Sequence, residues 1–275
     1  MELFKILKLE FNLLLNRKEF LYAFTVSLFL MIIVFFINLH NFFQEYMMNI
    51  PSANQLWVGF DSLIGDLFYM FLLPLLPALA YADTYYLDIK TGAYKSILTR
   101  CRKNNYILAK GIVIFVSGFI VVLVPLLINQ LLYFIIAPLH STKNLLGWPA
   151  YMFIPTHNMI FESLFLSNPY LYNILYMLLA GLVGSLAALM SYSISFITNK
   201  SRLIIVAAPL VIYLVGNFIN ALLGKANYCL NYYLQGFVVI GGLNADYFFI
   251  VLTISFIVSI SIIFFKNMTV KDELY

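Results

Sequence analysis

Residues 106–137 read YILAKGIVIFVSGFIVVLVPLLINQLLYFIIA, and Lys110 is the only charged residue among them. About 20 consecutive apolar residues are enough for an α-helix to cross the hydrocarbon core of a bilayer. The run is continuously apolar instead of alternating with polar residues, which favours a helix over a strand of a membrane barrel. This stretch therefore predicts a transmembrane helix.

Five further apolar runs have the same character. They occupy residues 20–39, 63–81, 170–198, 203–223 and 247–265. The whole composition agrees with them, because 63% of the 275 residues are hydrophobic and 10% are charged, whereas soluble proteins have about 25% charged residues. We predict an all-α integral membrane protein with six transmembrane helices, in which no room is left for a second, water-soluble domain.

The positions of Lys and Arg predict the orientation of these helices. Fourteen of the sixteen basic residues lie in the N-terminal segment, the loops after the second and fourth runs, and the C-terminal tail. The remaining two, Lys143 and Lys225, lie in alternate loops. Because cytoplasmic loops carry the excess of Lys and Arg, both termini are predicted to be cytoplasmic. The domain division is then residues 1–19, a transmembrane domain over 20–265, and a tail over 266–275.

Residues 1–19 have the pattern of an amphipathic helix. Apolar residues recur at spacings of three and four, and a separate polar stripe contains Lys5 and Lys8. This arrangement predicts a helix on the membrane surface, with its apolar face among acyl chains. The apolar positions are Phe4, Leu7, Phe11 and Leu14. The alternative is that this segment simply extends the first span.

The loop over residues 83–110 contains a second two-faced pattern. Gly92 is expected to separate the extended second helix from a short new helix. In this short helix Tyr94, Ile97 and Leu98 fall on one face, and Lys95 lies on the other with Thr99 and Arg102. Such a helix suits docking into a groove of a soluble partner. A basic loop is also what the topology requires, so the pattern alone does not identify a partner.

The same loop resembles the permeases of type-2 ABC exporters. An acidic residue precedes Thr-Gly, a short apolar and basic helix follows and ends in Arg, and Tyr-Ile-Leu-Ala-Lys-Gly opens the next span. The resemblance rests on Asp88, Thr91, Gly92, Leu98, Arg100, Lys110 and Gly111. The six spans, the N-terminal amphipathic helix and the tight turn after the fourth run extend the similarity over nearly the whole chain. One difference is that the family often has a glutamate closer to the glycine.

The resemblance implies a coupling helix that inserts into a cytoplasmic ABC ATPase subunit. The implied contact residues are Asp88, Gly92, Tyr94, Lys95, Ile97, Leu98, Arg100 and Arg102. It further implies a second permease copy, identical or not, a bacterial cell membrane, and export of a hydrophobic or amphipathic substrate such as a small peptide. Short membrane-dipping helices before the last span are implied within residues 224–246, where Tyr228, Tyr232, Tyr233 and Phe237 lie.

The chain has no motif for ATP hydrolysis or metal binding. No GxxxxGK[ST] phosphate loop occurs, and His40, His140 and His157 form no HExxH or close His/Glu pair. We therefore expect no enzymatic activity and no cofactor in this chain, with ATP and Mg²⁺ bound by the partner ATPase. The expected partners are the ATPase, the second permease copy and membrane lipid, with no nucleic acid.

Two groups in the fourth run allow more than one interpretation. Ala180, Gly184 and Ala188 recur every four residues, which lets another helix approach closely, either at a subunit seam or within one subunit. Ser191 belongs to a polar stretch with Ser193 and Ser195. These hydroxyl groups either line a substrate path or bond to their own helix backbone.

Asp66 supports a different function. An acid inside a transmembrane helix is costly to bury and is a functional candidate for that reason, and Asp66 lies near the outer end of the second run. It is either an intramembrane carboxylate or an interfacial one. The alternative to an ATP-driven exporter is thus an ion-coupled secondary transporter that uses Asp66. A membrane enzyme or an anchoring subunit is a third possibility, for which the sequence contains no motif.

Overall fold

The computed structural model describes residues 2–44, 52–60, 64–139, 160–198, 201–236 and 242–269. We number its main helices in chain order. They are α1 (Glu2–Leu15), α2 (Lys18–Gln44), α3 (Ile64–Lys90), α4 (Ala93–Leu98), α5 (Lys103–Ile136), α6 (Glu162–Ser167), α7 (Pro169–Ser195), α8 (Arg202–Leu222) and α9 (Ala245–Thr269).

Six helices within the described ranges are long and apolar enough to cross a membrane, namely α2, α3, α5, α7, α8 and α9. The prediction of an all-helical fold with six helices of membrane-spanning length and composition is therefore confirmed for the described residues. Five of the helices end within a few residues of the predicted runs. The second helix, α3, continues past the end of its apolar run at residue 81 to Lys90. This agrees with the expectation of an extended second helix that ends at Gly92.

Helix α3 is irregular near its start. Residues Phe68–Leu72 form a π-helical turn, in which the N–H of Leu73 donates to the carbonyl of Phe68. Pro74 follows at once and Pro77 lies inside the next turn. Because proline lacks the backbone N–H that an α-helix needs, a wider turn at this point is a physically reasonable adjustment of the hydrogen-bond ladder.

Helix α7 is the centre of the bundle. It packs against α3, α5, α8 and α9, and 72% of its most apolar window is buried. Helices α8 and α9 lie at the periphery, with only 22% and 11% of their windows buried. Most of their apolar side chains therefore face outward, as expected for helices in contact with lipid or with another subunit.

Helix α1 is separate from the first span. It ends at Leu15, and a turn at Asn16 and Arg17 precedes α2. Leu14 is buried, and Leu7 and Phe11 pack with it against the bundle, while Phe4 stays exposed. The apolar face predicted to lie among acyl chains therefore meets protein over its second half, and α1 packs mainly against α5.

Two features define the ends of the bundle. The end that contains α1, α4, the start of α5, Arg202 and Lys266 carries most of the described basic residues, and we call it the basic end. At the opposite end residues 52–60 enter the bundle. Side-chain amides of the spanning helices bond there to the backbone of residues 52–60. These are Asn129, whose Oδ1 accepts from the N–H of Val58 at 3.1 Å, and Gln130, whose Nε2 donates to the carbonyl of Ala53 at 2.9 Å. Irregular backbone at membrane depth is tolerated where protein surrounds it in this way.

Candidate functional site

Gly92 separates α3 from α4 with a backbone conformation that favours glycine. Its φ is +78°, in the left-handed region, and its N–H donates to the carbonyl of Ile89 at 3.2 Å. This is the usual way in which a glycine closes the C-terminus of a helix. A Cβ atom at Gly92 would meet no atom within 4 Å, so the requirement for glycine is one of conformation and not of space.

The apolar face of α4 packs inward. The ring of Tyr94 lies 5.8 Å from that of Tyr85 in α3 and 5.9 Å from that of Tyr106 in α5. Ile97 packs on the same buried cluster. These contacts hold α4 against the ends of two spans, so a displacement of α4 acts directly on α3 and α5.

The outward face of α4 is polar and basic. Lys95, Ser96, Thr99 and Arg100 are exposed, and so is Arg102 at the start of α5. Residues 89–110 contain six basic residues and no acid. A partner that docks on this face would therefore need acidic or hydrogen-bonding groups. Within the predicted coupling set, Tyr94 and Ile97 pack inward and Leu98 is half-buried. The residues of this set that a partner could contact on the outward face are therefore the basic ones.

Asp88, Lys110 and Glu10 form a buried ionic group directly behind α4. Nζ of Lys110 lies 2.6 Å from Oδ2 of Asp88 and 3.5 Å from Oε2 of Glu10. The Lys110 and Glu10 side chains are only 2% and 3% exposed. The hydroxyl of Tyr106 donates to Asp88, and that of Tyr81 donates to Oε2 of Glu10 at 2.8 Å. These donors satisfy the carboxylates in a site that contains one cation for two acids.

A second ionic group lies beside the first. Asp83 is fully buried, and its two oxygens lie 2.6 Å from Nη2 of Arg17 and 2.5 Å from Nε of Arg202. Glu19 contacts the same two arginines at 3.1 and 2.9 Å. Two acids thus face two bases in a closed set of four contacts. Glu19 and Arg202 are 31% and 37% exposed, so it is the fully buried Asp83 that would be left with an uncompensated and destabilising charge if its arginines were removed.

Tyr81 lies between the two ionic groups. Its ring centroid is 5.4 Å from Cζ of Arg17 and 5.8 Å from Nζ of Lys110, within the range of a cation–π contact. We call the combined set the charge cluster. Its members are Glu10, Arg17, Glu19, Asp83, Asp88, Lys110 and Arg202. The cluster joins α1, α2, α3, α5 and α8 immediately behind α4.

Sequence reasoning found only part of this site. Asp88 and Lys110 were selected through the resemblance, and the structure places them in contact. Glu10, Asp83, Arg17, Glu19 and Arg202 were not predicted as site residues. Glu10 offered one signal in the sequence, because it lies three residues after Leu7 and four before Leu14 and so falls on the apolar stripe of this segment. The other contacts join residues far apart in sequence, and no local pattern indicates them.

The small residues of α7 pack within the subunit. Ala180 and Ala188 are fully buried, and a Cβ added to Gly184 would lie 2.7 Å from Cγ2 of Val122 in α5 and 3.1 Å from Cγ of Pro77 in α3. The face is thus occupied by neighbouring spans of the same chain. Of the two interpretations that the sequence left open for these three residues, the contacts favour packing within one subunit over a subunit seam.

Ser191 bonds to a neighbouring helix, not to its own. Its hydroxyl donates to the carbonyl of Ile205 in α8 at 2.7 Å. Pro209 lies four residues after Ile205 and has no N–H to give that carbonyl, so Ser191 replaces the missing helical bond. Ser193 and Ser195 bond to carbonyls three residues earlier in α7. All three side chains are buried, and none of them lines an open path.

Asp66 belongs to the opposite end of the bundle. It lies in the first turn of α3 and is half-buried, and its Oδ1 accepts a hydrogen bond from Nε2 of Gln235. The segment that carries Gln235 has short 3₁₀ turns at Ala226–Tyr228 and Leu230–Tyr233. Gly236 continues it, donating from its N–H to the carbonyl of Gly59 at 2.8 Å. Phe237 lies outside the described residues.

Comparison with known proteins adds no further assignment. No family model, curated protein or solved structure matches this chain. Within the described ranges, no group of three or more His, Cys, Asp or Glu side chains is arranged to hold a metal ion. The charge cluster and the exposed face of α4 therefore stand as the candidate site on their geometry alone.

Proposed function

We propose that this chain is the membrane-spanning subunit of an ATP-driven exporter and that a separate cytoplasmic ABC ATPase acts on it through α4. The observation that carries the proposal is the position of α4. It presents a basic face outward and packs Tyr94 inward against Tyr106, whose hydroxyl donates to Asp88 of the charge cluster. The basic end is cytoplasmic in this proposal, in agreement with the distribution of Lys and Arg.

The charge cluster gives this arrangement a mechanical path. A push on α4 moves Tyr94 against Tyr85 and Tyr106, and Tyr106 is bonded to Asp88. Asp88 is in turn bonded to Lys110 at the start of α5. Because ionic contacts in a buried site have discrete arrangements, such a push changes the relation between spans in a step and not by gradual bending.

The exporter is expected to contain two copies of the membrane subunit, identical or not, and two ATPases. ATP and Mg²⁺ bind to the ATPases. The membrane is the bacterial cell membrane, and the substrate is hydrophobic or amphipathic, with small peptides as the first class to test. The peripheral α8, with exposed apolar residues such as Leu203, Val211 and Phe218, offers a surface for the second copy in place of the occupied face of α7.

The experiment combines affinity capture with a transport measurement. The tagged intact protein is extracted in mild detergent from its native membrane, and co-purifying ATPase-domain proteins are identified by mass spectrometry. We expect an ATPase with the wild-type chain. The double variant Lys95→Glu/Arg100→Glu, which reverses charge on exposed residues of the α4 region, is expected to lose it because like charges then face each other.

Lys225→Glu is the matched control. Lys225 is also an exposed basic residue but lies at the opposite end of the bundle, so this variant should still capture the ATPase. Failure of the wild-type chain to recover any ATPase-domain protein, together with transport that survives ATP depletion, overturns the proposal. Transport that survives ATP depletion but is abolished by Asp66→Asn would establish the ion-coupled alternative instead.

A further inference from the structure

A large apolar groove lies between α5 and α9, with α7 forming its floor. Its volume is about 600 Å³, which is within the range of sites that hold a small-molecule ligand. Ile112 and Phe115 line one wall, Phe256 and Ile260 line the other, and Leu189 belongs to the floor. A gap of this size between packed helices forfeits dispersion contacts unless another molecule fills it.

The groove is open toward the surroundings of the bundle. Ile112 on one wall is 40% exposed, and Ile260 on the other is 44% exposed. Gly111 adds to the width, because it contributes no side chain and a Cβ there would meet only Tyr192, at 3.5 Å. In a membrane, the acyl chain of a lipid can therefore enter the groove sideways from the bilayer.

Polar groups close the groove at the basic end. The side-chain amide of Asn267 in α9 donates to Oδ1 of Asn104 in α5 at 2.8 Å, and Nζ of Lys103 donates to the carbonyl of Asn267 at 3.2 Å. Arg102 and Lys266, the neighbours in sequence of Lys103 and Asn267, are exposed. Asp88, the nearest acid that precedes Arg102 in sequence, is bonded to Lys110 and Tyr106. Asp272 and Glu273, which follow Lys266, lie outside the described residues.

We propose that this groove binds an anionic phospholipid, with an acyl chain between α5 and α9 and the phosphate headgroup at Arg102, Lys103 and Lys266. The apolar walls match a hydrocarbon chain. Lys103 lies at this mouth through its contact with Asn267, and Arg102 and Lys266 flank the contact in sequence. Cations so placed match a headgroup with net negative charge, and basic pockets between transmembrane helices are suited to such headgroups. A zwitterionic lipid has the same chain but lacks the net charge that this mouth complements. The site does not depend on the exporter assignment.

The test uses photoactivatable lipids in nanodiscs. The intact protein is reconstituted in phosphatidylcholine with a trace of either phosphatidylglycerol or phosphatidylcholine that carries a diazirine in its acyl chain. Cross-linked residues are then mapped by mass spectrometry. We expect phosphatidylglycerol to label α5 and α9 residues of the groove more strongly than phosphatidylcholine does. Arg102→Gln/Lys266→Gln should lower its labelling by about fivefold for each charge removed.

Two further variants make the outcome decisive. Gly111→Leu places a side chain in the groove and should reduce labelling by both lipids, while Lys225→Gln, at the opposite end, should leave it unchanged. Both Arg102 and Lys266 are exposed, so their replacement leaves folding intact. Equal labelling of the wild-type groove by the two lipids, or labelling that Gly111→Leu does not reduce, overturns the proposal.

Discussion

At the scale of single residues, Glu10, Asp88 and Lys110 place two carboxylates around one ammonium group in a buried site. The hydroxyl groups of Tyr81 and Tyr106 donate to the carboxylates and partly replace a second cation. Each side chain comes from a different part of the chain, so the group holds α1, α3 and α5 together. Because the group contains two acids and one cation, the loss of the cation should destabilise it more than the loss of one acid.

Replacing Lys110 should be the most damaging change in this group. Lys110→Met leaves the buried Glu10 and the partly exposed Asp88 without their cation, and loss of one partner of a buried ion pair typically costs about 3–5 kcal/mol. Glu10→Gln removes the excess negative charge and leaves the Asp88–Lys110 pair, so a much smaller loss is expected. Thermal unfolding in detergent measures both. Lys5→Met, at an exposed position of α1, serves as control, and a Glu10→Gln variant less stable than Lys110→Met would contradict this interpretation.

Ser191 and Pro209 should be coupled energetically. Ser191→Ala leaves the Ile205 carbonyl without the hydroxyl that donates to it, which is expected to cost about 1 kcal/mol or more. In Pro209→Ala the new N–H can bond that carbonyl. The loss caused by Ser191→Ala should therefore nearly vanish when it is introduced into the Pro209→Ala variant. A double-mutant cycle of unfolding free energies measures the coupling. Ser193→Ala, whose hydroxyl bonds within α7, is the control, and additive losses would show that Ser191 does not replace the helical bond.

At the scale of helices, the fit of α7 against α3 and α5 depends on residues without bulk. A Cβ on Gly118 in α5 would lie 3.0 Å from the carbonyl of Gly184 and 3.1 Å from the Cβ of Ala188. The two glycines therefore face each other across the helix pair. Such close approach increases van der Waals contact, which is the main source of helix association where the surrounding solvent is as apolar as the side chains.

Gly184→Ala is expected to destabilise the bundle, because the added methyl group would lie 2.7 Å from Cγ2 of Val122 and 3.1 Å from Cγ of Pro77. The Pro77 atom belongs to a rigid ring and cannot easily move away. Overpacking of this kind typically costs about 1–3 kcal/mol. Gly216→Ala in α8 is the matched substitution, since no atom lies within 4 Å of its added Cβ. It should be neutral or slightly stabilising, as alanine favours a helix. Equal unfolding temperatures for the two variants would contradict the packing argument.

At the scale of the whole molecule, the two ends of the bundle differ in chemistry. The basic end contains ionic contacts between helices, whereas the opposite end is held by amides bonded to the backbone of residues 52–60 and by the bond between Asp66 and Gln235. The two cysteines fall at different ends, with Cys101 just before α5 and Cys229 between α8 and α9. Cys101, which is only partly buried, can therefore report the orientation of the basic end.

We expect a membrane-impermeant maleimide to label Cys101 in inside-out vesicles and not in intact cells, because the basic end should be cytoplasmic. Cys229 should stay unreactive in both, since it is buried and burial raises the pKa of its thiol, which lowers the thiolate fraction at neutral pH. The labelled site is identified by peptide mapping, with Cys101→Ser as control. Labelling of Cys101 in intact cells would show that the basic end faces outward, which contradicts the predicted orientation.

Much of the fold follows from local composition. Apolar runs of sufficient length were enough to identify all six spans, and the glycine at position 92 marked the start of α4. The apolar run of the second span ends at residue 81, and the glycine at position 92 indicated that the helix extends beyond this run, through Asp83 and Asp88 to Lys90. Their charges are compensated by Arg17, Arg202 and Lys110, and a linear reading of hydrophobicity cannot detect such compensation.

The sequence by itself determined the number and class of the helices and the distribution of basic residues, because apolar length and charge are properties of short segments that hold wherever the segment lies. Only the tertiary structure decided that Glu10 and Asp83 are buried among cations, that α4 turns its aromatic face inward, and that Gly184 faces α5 of the same chain. Each of these facts depends on which helices lie side by side. Contacts between residues tens to hundreds of positions apart arise from packing geometry, and segment composition does not encode them in any form that can be read one segment at a time.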